Sequence, residues 1–303
     1  MIQSAALDSM WKADVVPSAW HFLLAVYFAV GFAVARFLFD KHLLQEVGEE
    51  MTVQRVATWL LSNGSIPLKI NKARRMKIAK CSESLWKLTY YATVELSVLL
   101  VIYGEPWFTD IQEYFRGWPN QHLKPSIKLI YMCQCGFYIY SISALLTWET
   151  RRKDFAVMMS HHVVTVILIS YSYITRFFRI GSIILALHDA SDVFMEAAKV
   201  FKYSEKEFGA SVCFGLFALS WLVLRLIYFP FWVIRSSSYY IVLCLNLSDT
   251  YDASLYYVFN TMLLTLLVFH IYWWFLICAM IMRQLKNRGK VGEDIRSDSE
   301  DDD

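Results

Sequence analysis

The 303-residue sequence has little charge, because Asp, Glu, Lys and Arg make up 18% of it and its formal net charge is +2. A soluble globular domain carries about 25% charged residues. So apolar a composition excludes a disordered chain, and the near-neutral balance argues against nucleic acid as a partner. Glycine and proline are too scarce for a collagen-like chain.

Cysteine is also scarce, with six residues in the whole chain. That number excludes a small disulfide scaffold, and the one close pair, Cys133 and Cys135, lacks the two-residue spacing of a zinc or redox motif. We interpret the cysteines as small polarizable core residues.

Apolar residues are in excess, at 57% of the chain. A helix needs about 20 mainly apolar residues to cross a bilayer. Seven segments approach or meet this requirement, at 20–39, 88–103, 127–148, 155–174, 180–198, 211–234 and 256–282. The sequence therefore predicts an all-α polytopic membrane protein with about seven transmembrane helices.

Lysine and arginine are divided unevenly between the two sides of these spans. Of the 29, 20 lie on one side, in segments 41–87, 151–153 and 199–206 and after residue 282. The positive-inside rule places that side in the cytosol and the N-terminus in the lumen. We predict a lumenal segment and anchor at 1–40, a cytosolic basic loop at 41–81, a membrane domain at 82–284 and a cytosolic acidic tail at 285–303. In that tail, Ser297 and Ser299 are candidates for phosphorylation.

The fourth and fifth predicted spans carry six ionisable residues: His161, His162, His188, Asp189, Asp192 and Glu196. Ionisable groups inside spans are costly and usually functional. The connection between these spans is short, so we expect antiparallel neighbours. His161 and Asp192 would each lie about 9 Å inside the cytosolic ends and meet across the hairpin.

Four interpretations of this cluster stay open on the residues alone. A metal site would use His and Asp ligands, although the other histidines are scattered. A transporter would use the groups as a proton relay. An enzyme would use them for acid–base or nucleophilic catalysis. Finally, polar groups also hold helices together.

Around the cluster, the sequence resembles the signature of ceramide synthases, the sphingoid-base N-acyltransferases of the TRAM–LAG–CLN8 (TLC) family. The resemblance rests on the pair His161-His162, on His188-Asp189-Ala-Ser-Asp192, and on matching stretches from residue 82 to residue 282. The loop at 41–87 is too short for the homeobox-like insert of many animal members. The sequence is therefore more similar to the plant type, the longevity-assurance homologues.

The resemblance implies that a fatty acyl-CoA acylates a sphingoid base, sphinganine or phytosphingosine, to give a ceramide and CoA in the endoplasmic reticulum membrane. It implies no cofactor, a barrel of spans two to seven around an acyl channel, and membrane lipid as a partner. A homo- or hetero-dimer stays open. The alternative is a non-enzymatic lipid sensor or lipid-handling protein of the same family.

The resemblance also assigns roles to residues. His161 and Asp192 are implied as the central pair: His161 attacks the thioester or deprotonates the amine, and Asp192 orients it. His162, His188 and Asp189 are expected to support them. Candidates for substrate binding are Arg151, Arg152, Lys153, Arg179, Arg225 and Trp273. Those at the cytosolic rim would face the CoA phosphates. The alternative for each single cation there is that it only determines the orientation of the protein in the membrane.

Two glycosylation sequons test the predicted orientation. Asn63 would lie in the cytosol and Asn246 in the lumen, so only Asn246 is expected to accept a glycan. Endoglycosidase mapping of chains that retain one sequon each is the measurement. Sugar on Asn63 would invert the topology.

Overall fold

The computed structural model describes residues 16–41, 72–149, 152–287 and 292. Within those ranges it contains seven long helices and no strand. The first four are α1 (Phe22–Lys41), α2 (Lys72–Ile102), α3 (Pro125–Thr147) and α4 (Phe155–Ile174); then come α5 (Phe178–Tyr203), α6, which starts as Glu207–Ser220, and α7 (Thr250–Lys286). The prediction of an all-α membrane protein is confirmed.

Six of these helices are long and apolar enough to cross a membrane, and α5 is the exception. Its sequence carries the acidic and histidine cluster, which lowers its apolar character. At 26 residues it is nevertheless about 39 Å long, which exceeds the hydrocarbon thickness of a bilayer. It also connects the end of the bundle where α4 stops to the end where α6 starts.

Helix α2 begins at Lys72, inside the segment that the sequence predicts as a basic loop. Its polar first half is stabilised as a helix by the ion pair of Lys87 with Glu83, four residues earlier. The same helix also packs along α5 more extensively than any other pair of helices does in the described chain. Apolar runs locate the membrane-embedded part of a helix and do not detect such an extension.

Helices α2 to α7 contact one another in a closed order. The order around the ring is α2, α3, α4, α7, α6, α5 and back to α2, and each helix contacts the next. Helix α7 contacts α6 through the stretch Trp221–Ile234. Helix α1 lies outside this ring, against α3. The ring leaves an interior that all six helices can line.

The two ends of the ring differ in charge and packing. We call the end where α2, α4 and α6 begin the basic end, because it carries Lys87, Arg152 and Lys199. The opposite end, the far end, is covered by the segment between α2 and α3. Trp118 Nε1 donates to the Thr175 carbonyl oxygen over 2.8 Å, which ties that segment to the α4–α5 turn.

Helix α6 changes its winding along its length. After Glu207–Ser220 it continues as a π-helical stretch, Trp221–Ile234, and ends with Arg235–Tyr239. Pro230 lies inside the stretch and has no N–H to donate, which disturbs the ordinary α-helical ladder there. Such wide turns are often found at functional sites.

The contact between α1 and α3 depends on the missing side chain of Gly136. A Cβ at this position would lie 2.5 Å from the Ala25 carbonyl oxygen and 2.6 Å from the Phe28 Cβ. Small residues allow such close approach between membrane helices.

We expect Gly136→Ala to lower the thermal stability of the detergent-solubilised protein, because overpacking a tight contact costs about 1–3 kcal/mol. The measurement is the temperature at which the monodisperse fraction is lost. Gly31→Ala is the matched control, since no atom lies within 4 Å of a Cβ there. Equal stability of the two variants would contradict this account of the α1–α3 contact.

Candidate functional site

A cavity of about 380 Å³ occupies the half of the ring nearest the basic end. All six ring helices line it, each with the half that lies at that end. It extends from the exposed Lys77 and Lys80 to the buried His161. The wall of the cavity is thus charged near the basic end and rich in aromatic residues deeper inside the ring.

His161 lies at the inner wall, in a cage of aromatic rings. Its ring centroid is 5.0 Å from that of Trp273 and 5.8 Å from that of Phe269, both edge-to-face. Trp273 is fixed in turn by a 3.1 Å hydrogen bond from its Nε1 to Asp154 Oδ2, at the start of α4. The sequence at the start of α4 and on α7 therefore fixes the environment of this imidazole.

His162 also lines the cavity, from a different direction. Its ring packs edge-to-face on Tyr138, with 5.6 Å between the centroids. Successive helical residues point about 100° apart, so the two histidines reach different parts of the cavity.

Asp192 forms an ion pair with Arg225 on the opposite side of the cavity. Their oxygen and nitrogen atoms are 3.0 Å apart, and the Arg225 side chain is 4% exposed against 15% for Asp192. Both side chains line the cavity, and the carboxylate is the more exposed member of the pair. The same guanidinium donates to the His188 carbonyl oxygen over 2.5 Å and stacks 4.0 Å above the Trp221 ring.

The expected contact between His161 and Asp192 is not formed. In the part of the chain that the structure describes, His161 makes no side-chain hydrogen bond, and its Nδ1 is buried without a partner. The reason is the shape of the hairpin. Helices α4 and α5 are close at the far end, where a Cβ on Gly181 would lie 3.1 Å from Ser172 Oγ, but the cavity separates them at the basic end.

His188 and Asp189 point away from this cavity. His188 Nδ1 donates to the Ile184 carbonyl oxygen over 2.6 Å, so in the neutral ring its Nε2 accepts the 2.8 Å hydrogen bond from His270 Nε2. Asp189 Oδ2 accepts from the Gln134 amide over 2.8 Å. Both are thus buried between helices, and their bonds join α5 to α3 and α7.

Ion pairs form the charged part of the cavity wall. Lys87 contacts Glu83 over 2.8 Å and Glu149 over 2.9 Å, and Lys199 contacts Glu196 over 2.7 Å. Glu196 is therefore a buried wall residue paired with a cation, although it shares a helix face with Asp192.

The predicted substrate-binding residues divide by location. Arg152, Arg225 and Trp273 line the cavity, whereas Lys153 is exposed beside it. Arg179 lies at the far end, where it donates to the carbonyl oxygens of Glu113 and Arg116 and so holds the α2–α3 segment. That position places it away from the cavity, because it starts α5 while the cavity surrounds the end of α5. Arg151 lies outside the described residues, as do Asn63, Ser297 and Ser299.

Several cavity residues are absent from the predicted set. Tyr91, Tyr138 and Trp221 are aromatic residues in apolar runs, and nothing in the sequence separates them from lipid-facing ones. Lys87 and Glu83 did carry a signal, the four-residue spacing of a helical ion pair. His270, which lies outside the cavity and bonds to His188, belongs to a stretch that matches the family, but nothing in the sequence indicated its partner.

The site can support acid–base or nucleophilic chemistry. It combines a buried imidazole, a carboxylate held by a guanidinium, and an entrance rich in cations. The described residues include no group of three His, Cys, Asp or Glu side chains placed to hold a metal ion.

The comparisons with known proteins identify the family. The TLC domain matches residues 80–279. The chain is 68% identical over 285 residues to the protein named Ceramide synthase LOH2 of Arabidopsis thaliana, covering 94% of this chain and 93% of that protein. It is 61% identical over 280 residues to the ASC1-like protein 3 of Oryza sativa, covering 92% and 95%.

A human protein, Ceramide synthase 5, is 30% identical over 263 residues, covering 86% of this chain and 64% of that protein. The family predicted from the histidine and aspartate motifs is confirmed by these matches. With the domain matched over most of the chain and with plant relatives similar over nearly their whole length, the chain belongs to the TLC-domain family.

Proposed function

We propose that the protein is a ceramide synthase, which transfers a fatty acyl group from acyl-CoA to the amine of a sphingoid base. The relatives that it matches at 68% and 46% identity carry the name ceramide synthase. One structural observation carries the proposal: His161 and Asp192 face a single cavity that runs from a cationic rim into the apolar interior of the ring.

The shape of the cavity suits the two halves of acyl-CoA. The CoA part carries several phosphates and would lie at the basic end, where Lys77, Lys80 and Arg152 line the entrance. The acyl chain would extend inward among the aromatic and aliphatic side chains. The thioester would then be near His161, where the polar rim meets the apolar interior.

His161 is the proposed nucleophile. The free electron pair of its Nε2 bonds to the thioester carbonyl carbon, the carbon–sulfur bond breaks, and the imidazolium proton passes to the leaving thiolate. This step gives an acyl-imidazole and CoA. The aromatic cage around His161 excludes water, which limits hydrolysis of that intermediate.

The sphingoid base completes the reaction. Its neutral amine bonds to the acyl carbon, the bond from that carbon to His161 breaks, and the amine proton returns to the imidazole. Asp192 accepts the proton that the ammonium form of the base must first release. In the direct route, which the same residues permit, His161 would instead take the amine proton while the amine attacks the thioester.

The membrane location follows the same assignment. We place the protein in the endoplasmic reticulum membrane, with the basic end and the C-terminus in the cytosol, where acyl-CoA is available. The excess of Lys and Arg on that side supports this orientation.

We expect His161→Ala to abolish ceramide formation in microsomes supplied with acyl-CoA and sphinganine, because neither route operates without the imidazole. The loss should be at least about 10²-fold, the contribution of a positioned acid–base group. His122→Ala, an exposed histidine at the far end, is the matched control. Near-normal activity of His161→Ala would refute the assigned site.

The covalent and direct routes give different products when the second substrate is withheld. With acyl-CoA alone, the covalent route predicts one acyl group per protein by intact mass, lost on addition of sphinganine and absent in His161→Ala. Free CoA should appear in the same stoichiometry. An unmodified mass, despite full amide synthesis by the same sample, would favour direct transfer.

Arg225 is a positioning residue for Asp192 rather than a residue that contacts substrate. Arg225→Lys keeps one charge but loses the planar guanidinium, whose Nη2 contacts both Asp192 and the His188 carbonyl oxygen and which stacks on the Trp221 ring. We expect kcat to fall about 10²-fold with little change in KM, since small displacements of a catalytic group cost about this much. Adding Asp192→Asn should then cost little more, because the two act as one unit. Additive losses in the double variant would exclude this coupling.

A further inference from the structure

A second, smaller void lies inside the ring, nearer the far end. Its volume is about 20 Å³, and α3, α4, α5 and α7 enclose it. The residues that form its walls include Tyr131, Thr165, Leu168, Ile184, Leu185 and Leu266. A void of 10–15 Å³ by the same measure holds one water, so this one accommodates a group of methyl or methylene size.

The polar side-chain atoms of Thr165, Tyr131 and His188, which border this void, are already engaged. Thr165 Oγ1 donates to the His161 carbonyl oxygen over 2.8 Å, and the Tyr131 hydroxyl donates to the Phe178 carbonyl oxygen over 3.0 Å. His188 bonds with Ile184 and His270. The surface that the void presents is therefore apolar, and a ligand in it would be apolar too.

The void continues the line of the large cavity. On α4 the cavity is lined by residues 158, 161 and 162, and the void by residues 165, 168, 169 and 172. Steps of three and four residues keep one helix face, so these seven positions form a single inward stripe. The eleven residue-to-residue steps from 161 to 172 cover about 16 Å along the helix axis.

The other walls show the same register. On α5 the void is lined by 181, 184, 185 and 188, and the cavity by 192, 195, 196 and 199. On α7, Leu266 lines the void and residues 273, 276, 277 and 280 line the cavity. Tyr138 of α3 lines both spaces and stands between them.

The void ends at Tyr131. A Cβ on Gly181 would lie 1.9 Å from the Tyr131 hydroxyl, so only glycine lets α5 approach this ring. With its hydroxyl bonded to Phe178, Tyr131 forms a fixed floor.

The geometry points to a role for this void, which we call the end pocket: it receives the methyl end of the acyl chain and limits the chain length that the enzyme accepts. This inference rests on the proposed function. The thioester stands at His161, the chain passes Tyr138, and its last carbon atoms lie among Leu168, Ile184 and Leu266. Side-chain volume at these positions then selects the acyl-CoA.

The test is a competition assay with the full chain in microsomes, supplied with sphinganine and an equimolar series of saturated acyl-CoAs. The ratio of ceramides with longer chains to the ceramide that the wild type prefers is measured by mass spectrometry. Leu266→Ala enlarges the end pocket and should raise this ratio about fourfold for each further methylene that becomes buried. Leu266→Phe fills the pocket and should shift the products to shorter chains.

Leu264 supplies the matched controls. It is two residues away on α7 and 51% exposed, whereas Leu266 is 2% exposed. Leu264→Ala and Leu264→Phe should leave the product distribution unchanged. Ile184→Val removes one carbon from another wall of the pocket and should shift the products in the same direction as Leu266→Ala. If Leu266→Ala does not fold, the product distribution of Ile184→Val tests the end pocket instead.

The outcomes separate this inference from the proposed function. An unchanged distribution in Ile184→Val and in every folded Leu266 variant, with total ceramide synthesis retained, overturns the end pocket and leaves the proposed function intact. An equal shift in the Leu264 variants also overturns it. A wild-type chain that makes no ceramide from any acyl-CoA overturns the proposed function itself.

Discussion

The ion pair of Arg225 with Asp192 is the interaction on which the interior of the protein depends. Charges at the level of a membrane are expensive to bury, and a pair is tolerated only when its geometry is good and further hydrogen bonds complete it. Here the guanidinium is completed by the His188 carbonyl and the Trp221 ring. The pair connects α5 to the π-helical part of α6, so helix packing and chemistry use the same contacts.

The polarity of α5 is explained by its place in the ring. A helix with this many ionisable residues could not face lipid on all sides, but α5 packs against α2 and α6 and turns its polar face inward. His188 and Asp189 find partners on α7 and α3, and Asp192 finds one on α6. Each neighbour of the helix thus compensates part of its charge and polarity.

The sequence allowed the helices, the membrane class and the polar cluster to be predicted, because apolar runs and isolated charges depend on local composition. The equal depth of His161 and Asp192 was also readable, and it places both at one cavity. Their partners were not readable. Whether Asp192 meets His161 or Arg225 depends on how far α4 and α5 diverge, which is set by α2, α6 and α7 and not by the short turn between them.

The same limit applies to Arg179 and His270. Arg179 lies in a stretch that matches the family, yet it caps the far end; His270 lies alone in an apolar helix, yet it holds His188. Residue type and motif marked both residues as candidates. Their hydrogen-bond partners lie far away in the sequence and follow only from the packing of the helices.

The far end has a mechanical consequence. The segment between α2 and α3 is fastened to the α4–α5 turn through Trp118 and to α6 through the bond from Ser236 to the Ile111 carbonyl oxygen. Because these bonds join separate elements, the far end can open only when they break together, so it is held more firmly than a single element would be.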